Sequence, residues 1–112
     1  MSISMIGIDH SKASVDIRAK FSFTKKRAIE AMKKLKEEHG ILGCIILSTC
    51  NRMEVWVSTQ GDEEISLYDF LCKEKEVEKD EYQDYFMKRE NEEAVRHLFY
   101  LTSGLKSQIL AE

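Results

Sequence analysis

Apolar side chains alternate along residues 3–9 (Ile3-Ser4-Met5-Ile6-Gly7-Ile8-Asp9), which is the period of a β-strand. From His10 to Phe23 no period holds and serines interrupt the run, so a long loop is expected. Thr24 is placed to cap a helix whose apolar positions Ala28, Ile29, Met32 and Leu35 share one face, with Gly40 ending it. Cys44 to Leu47 is a continuous apolar run, the pattern of a central strand covered on both faces. Met53, Val55 and Val57 then alternate with Glu54, Trp56 and Ser58, predicting a strand with one wetter face. Between these two strands, Ser48-Thr49-Cys50-Asn51-Arg52 suits a tight connection.

Gln60-Gly61-Asp62 predicts the next turn, and a second helix follows through Ile65, Tyr68, Leu71 and Cys72. Residues 73–84 are charged and weakly patterned, and residues 85–89 read as a fourth, edge strand. Asn91 is expected to cap a last helix, with Glu92 and Glu93 at its positive end and Val95, Leu98, Thr102, Leu105 and Ile109 facing inward. The order βαββαβ plus a closing helix predicts an α+β fold. Its expected form is a ferredoxin-like sandwich with an additional C-terminal helix, one domain over residues 1–112. Such a fold hosts many functions and names no chemistry.

Composition narrows the class. With 112 residues, 43% hydrophobic and 33% charged, the chain can bury one core without metal or disulfide. Its apolar runs are too short to span a bilayer, and its N-terminus lacks the pattern of a secretory signal. Cys44, Cys50 and Cys72 are an odd number without framework spacing, which favours free thiols in a reducing cytoplasm. No CxxC pair occurs and His10, His39 and His97 stand far apart, so no structural zinc site is expected. The net charge of -3 argues against a strong nucleic-acid binder. Basic residues nevertheless crowd the first helix (Lys25, Lys26, Arg27, Lys33, Lys34, Lys36), a pattern read as a solvated face.

Reactive and binding groups converge in one segment, residues 48–52. A cysteine attacks as thiolate, and a nearby cation such as Arg52 lowers the thiol pKa. Arg52 is equally suited to hold a substrate carboxylate through paired hydrogen bonds, and a salt bridge to Glu54 or another acid is its plain structural alternative. For Cys50 itself, the plain alternative is packing beside a strand end. Cys44 and Cys72 fall on apolar stripes and are expected in the core, and Trp56 is expected to pack on the sheet.

The run Ser48-Thr49-Cys50-Asn51-Arg52-Met53-Glu54-Val55 resembles the signature of the glutamyl-tRNA reductases. Gly7-Ile8-Asp9-His10, the loop residues Ala13, Val15 and Arg18, then Arg96-His97-Leu98-Phe99 and Ser103-Gly104-Leu105-Lys106-Ser107 with Glu112 follow the family pattern in order. The resemblance covers the whole chain and is to the family's N-terminal catalytic domain. Ser14 stands where the family has proline, Ala19 where it often has glutamate, and Ala111 where glycine is common. None of these touches the Cys50 segment.

The resemblance implies a two-step reduction. Cys50 takes the glutamyl group from glutamyl-tRNA as a thioester, and NADPH then reduces it to glutamate-1-semialdehyde, the entry to tetrapyrrole synthesis. It also implies that Thr49, Asn51, Arg52 and Ser107 bind the glutamyl group, with Glu112 in the same set, and that His97 acts at the reacting carbonyl. A loop-ordering hydrogen bond is the expected role of His10. His97 and Ser107 are ten residues apart, roughly 15 Å along a straight helix. Either the helix breaks near Ser103-Gly104, which is the expectation, or only one of the two touches the glutamyl moiety.

No glycine-rich dinucleotide fingerprint occurs in the sequence. The resemblance implies that NADPH-binding and dimerisation domains lie outside this chain, that the full-length protein is a homodimer, and that its product passes to glutamate-1-semialdehyde aminomutase. The chain alone is then not expected to complete the reduction. Two rival readings are an RNA-binding module of the same fold with an inert Cys50 and a small-molecule-sensing or interaction domain. Thiol labelling separates them from an enzyme.

Overall fold

The computed structural model describes residues 2–38, 40–61 and 65–98. It is a mixed α/β fold around one four-stranded antiparallel sheet. The elements are β1 (Ser2–Asp9), α1 (Val15–Phe21), α2 (Lys25–Lys36), β2 (Ile41–Ser48), β3 (Arg52–Thr59), α3 (Leu67–Lys75), α4 (Lys79–Tyr82), a 3-10 turn (Gln83–Tyr85) and β4 (Met87–Glu90). Residues 91–98 are helical and close the described chain. Strands lie in the order β2-β3-β1-β4.

Side-chain caps start α1, α2 and α3. Ser14 Oγ accepts from the Ile17 N–H at 3.4 Å, Thr24 Oγ1 from Arg27 N–H at 3.2 Å, and Ser66 Oγ from Asp69 N–H at 3.3 Å. α1 corrects the expectation of a continuous loop over residues 10–23. At seven residues it is too short to display a helical period, yet Ser14 opens it and Phe21 at its end is fully buried. Phe21 meets the rings of Phe86 at 4.9 Å and Tyr82 at 5.3 Å, both edge-on.

Cross-strand partners share a face, so β3 sorts its residues by parity. Met53, Val55 and Val57 join Ile6, Ile8, Phe21, Leu35, Leu67 and Leu71 in the core beneath the helices. Arg52, Glu54 and Trp56 project to the opposite face with Met5, Gly7, Met87 and Arg89. That second face is covered in part by residues 91–98. The expected wetter face of β3 is therefore corrected: Glu54 is only 1% exposed.

Four further expectations change. β2 is an edge strand rather than a central one, and Ile45 on it is 64% exposed. Ile29 lies outside the buried stripe of α2, which is formed by Ala28, Ala31 and Leu35. Asn91 has a positive φ of 49° and its Oδ1 accepts from the Ile3 N–H at 3.1 Å, so its side chain ties the chain back to β1. In the closing helix Ala94 is the buried residue, while Val95 and Leu98 are exposed. Thr102, Leu105, Ile109 and the expected break at Ser103-Gly104 lie outside the described residues.

Candidate active site at the Cys50 turn

The connection between β2 and β3 is built by Thr49. Its N–H donates to the Arg52 carbonyl at 2.8 Å, and its Oγ1 accepts from the N–H groups of Asn51 and Arg52, each at 3.3 Å. The side chain thereby takes backbone donors that a three-residue turn would leave bare. Two outside bonds fix the turn: the His10 N–H donates to the Asn51 carbonyl at 3.1 Å, and the Phe23 N–H donates to Ser48 Oγ at 2.9 Å. Cys50 sits within this braced turn and is exposed. By contrast Cys72 is buried and Cys44 half-buried, its thiol donating to the Met32 carbonyl at 3.4 Å and pushed up in pKa by burial.

Beside the turn, the second face of the sheet carries a buried carboxylate with three partners. Glu54 Oε1 accepts from Trp56 Nε1 at 3.1 Å. Glu54 Oε2 meets His97 Nε2 at 2.7 Å and Arg52 Nη1 at 3.7 Å. The His97 ring also stacks on Trp56, with centroids 6.1 Å apart and planes 14° apart. A carboxylate sealed from water is tolerated when polar partners compensate it, and here Trp56 and His97 give two hydrogen bonds and Arg52 an ion pair. His97 is in consequence held in one orientation, with Nδ1 the ring nitrogen left for other work.

Gly7 makes this packing possible. It pairs with Glu54 across β1 and β3, and a Cβ at Gly7 would lie 2.9 Å from Glu54 Cγ.

Arg52 and His97 both line an open cleft of about 640 Å³, together with Asp9, His10, Arg89 and Arg96. Burial pushes the Asp9 carboxyl up, but its two bonds from Ser11 and the charges of Arg52 and His10 outweigh this and hold it below its ordinary value.

The structure thus brings Arg52 and His97 together through Glu54, and places Thr49, Cys50 and Asn51 on the turn tied to the cleft by His10. Cys50, Thr49 and Asn51 do not themselves line the cleft. Ser107 and Glu112 lie outside the described residues. Of the three readings of Arg52, the ion pair with Glu54 is formed, and its position on the cleft keeps it in reach of a ligand. Trp56 does more than pack: it donates to Glu54 and stacks on His97. Sequence reasoning named Glu54 only within the family signature and as a salt-bridge partner for Arg52, and it missed Arg89; Gly7 within a strand was the available sign of a close approach. Among the described residues no group of three or more His, Cys, Asp or Glu could hold a metal ion, and no helix is long and apolar enough to cross a membrane.

Comparison with known proteins adds an independent line. The family model described as glutamyl-tRNAGlu reductase, N-terminal domain, matches residues 6–112. A glutamyl-tRNA reductase of Exiguobacterium sp. is 41% identical over 114 residues, spanning 100% of this chain and 25% of the relative. One of Acetivibrio thermocellus is 38% identical over 112 residues, spanning 100% of this chain and 34% of the relative. The solved glutamyl-tRNA reductase from Methanopyrus kandleri superposes with a TM-score of 0.69 at 32% identity, covering 98% of this chain and 24% of that one. The chain spans about a quarter to a third of the length of these relatives.

Proposed function

The chain belongs to the glutamyl-tRNA reductase N-terminal domain family, and from that premise we propose that it carries the acyl-transfer site of that reaction, with Cys50 as nucleophile. The observation that carries this reading is the placement of Cys50: the one exposed thiol of the three, on a turn braced against a cleft lined by Arg52 and His97. The strand order β2-β3-β1-β4 with every neighbouring pair antiparallel supports the finer assignment of a ferredoxin-like sandwich.

In the proposed step the Cys50 thiolate attacks the carbonyl carbon of the ester joining glutamate to the tRNA 3' end. The C–S bond forms, the C–O bond to the ribose breaks, and the departing ribose oxygen takes a proton. His97, held by Glu54 through Nε2, is proposed to take the Cys50 thiol proton on Nδ1 and to pass it to that oxygen. Thr49 and Asn51 shape the turn and, with Arg52, bind the glutamyl group. Ser107 and Glu112 are proposed as further substrate contacts.

NADPH is the proposed hydride source for the second half-reaction, thioester to aldehyde. The residues named above act in the first half-reaction, which ends at the thioester. The setting we propose is a cytoplasmic homodimeric reductase in tetrapyrrole synthesis that hands glutamate-1-semialdehyde to its aminomutase.

Acid-quenched incubation with radiolabelled glutamyl-tRNA tests the reading. Protein-bound label that hydroxylamine releases, and that Cys50→Ser lacks, is expected. Absence of label from the native chain rejects it.

A further inference from the structure

The polar groups around the cleft are mostly partnered. Arg52 and His97 share Glu54, Arg96 meets Glu92 at 3.0 Å, and Asp9 is bonded by Ser11. Arg89 differs. It lies on β4 opposite Met5, on the face that carries Glu54 and Trp56, and it lines the cleft. Its Nε is buried and, among the described residues, has no hydrogen-bond partner. The contact its guanidinium does make runs from Nη2 to Met87 Sδ at 3.7 Å, and a thioether is a weak acceptor. Among the described residues no carboxylate comes within ion-pair distance of it, although Asp9 and Glu93 line the same cleft.

The other orphaned guanidinium nitrogen, Arg18 Nε, belongs to a side chain already anchored by Nη1 to the Ala13 carbonyl at 2.7 Å. Arg89 has no such anchor. A half-buried guanidinium with one nitrogen shut off from water and no counter-charge among the described residues gains from an anion that completes it.

We propose that Arg89 is an anion-binding residue of this cleft, receiving an oxyanion of the substrate on its guanidinium fork. The proposal rests on the reading of the cleft as the glutamyl-transfer site. Two oxyanions of that substrate share the needed chemistry, a pair of coplanar oxygens: the glutamyl side-chain carboxylate and the terminal phosphodiester of the RNA. With Arg52 Nη1 directed at Glu54, Arg89 supplies the cleft with a second fork that pairs with no carboxylate among the described residues.

NMR of the arginine Nε–H groups of the chain tests this. The Arg89 cross-peak is assigned by its loss in Arg89→Met, or in Arg89→Lys if the first variant folds poorly. Glutarate, inorganic phosphate and uncharged glutaramide are then titrated separately. Saturable movement of that cross-peak by an anion, and none by glutaramide, is expected. Stronger binding of glutarate assigns the carboxylate, and stronger binding of phosphate assigns the phosphodiester. A cross-peak unmoved by both anions, or moved equally by glutaramide, overturns the proposal. In the transfer reaction Arg89→Met is expected to raise KM about tenfold while the maximal rate holds. The titration needs no acyl transfer: a silent transfer assay beside a moving cross-peak rejects the transfer reading alone, and the reverse result rejects Arg89 alone.

Discussion

Val55 and Glu54 are neighbours on β3, both almost sealed from solvent, and they live in opposite surroundings. Val55 points into the apolar layer with Ile6, Phe21 and Leu71. Glu54 points to the other face, where every contact described for its oxygens is polar: Trp56, His97 and Arg52. The period of two along one strand separates a face that holds the fold from a face that orients charged groups. Burial alone is therefore a poor guide to role here. Residues equally hidden from water contribute through dispersion and dehydration on one side, and through directed hydrogen bonds on the other.

Substitutions on the two faces should separate in what they change. The largest effect on folding is expected on the helix side: Phe21→Ala removes a fully buried ring and should cost about 3–5 kcal/mol in denaturant unfolding, while leaving the transfer rate per folded molecule near native. Equal loss of both would break the separation. On the other face, Glu54→Gln should slow glutamyl transfer about a hundredfold, because His97 and Arg52 lose the charge that holds them, with a much smaller change in stability. An unchanged rate would reduce Glu54 to a packing group.

Gly7→Ala probes the seam between the two. Its new Cβ would press on Glu54 Cγ at 2.9 Å with the Met53 carbonyl at 3.2 Å, so about 1–3 kcal/mol of stability and part of the activity should fall together. Wild-type behaviour in both assays would show that Glu54 has room to move.

The smallest expected effect is on the acid limb of stability. Asp9 has a folded pKa below its ordinary 3.8, so its contribution is complete above that pH and fades as pH drops through the lower folded value. Asp9→Asn should remove this part of the acid-unfolding slope and leave neutral-pH behaviour of the remaining carboxylates alone. An identical slope in both proteins would mean that the Ser11 bonds do not persist in solution.

Much of this division was legible in residue order. The alternation of Met53, Val55 and Val57 marked the core face of β3, Thr24 marked the start of α2, and the small polar run around Cys50 marked the turn. α1 escaped notice because two turns of helix cannot show a period, and its start depends on one serine cap. The edge position of β2 was hidden because a continuous apolar run looks alike in a central strand and in one covered by a helix on one side. Glu54 misled most. Alternation says which residues share a face but not what later covers that face, and here residues 91–98 arrive from far along the chain to seal it. Arg89 carried no signal at all: a guanidinium without a carboxylate among the described residues is visible only once its neighbours are placed.

Peptide-resolved mass spectrometry after reaction with glutamyl-tRNA goes to the centre of the account. A glutamyl adduct is expected on the peptide bearing Cys50, lost with hydroxylamine, with the Cys44 and Cys72 peptides unmodified. An adduct on either of those two thiols, or none on Cys50, would contradict the assignment of the exposed turn as the place where chemistry occurs.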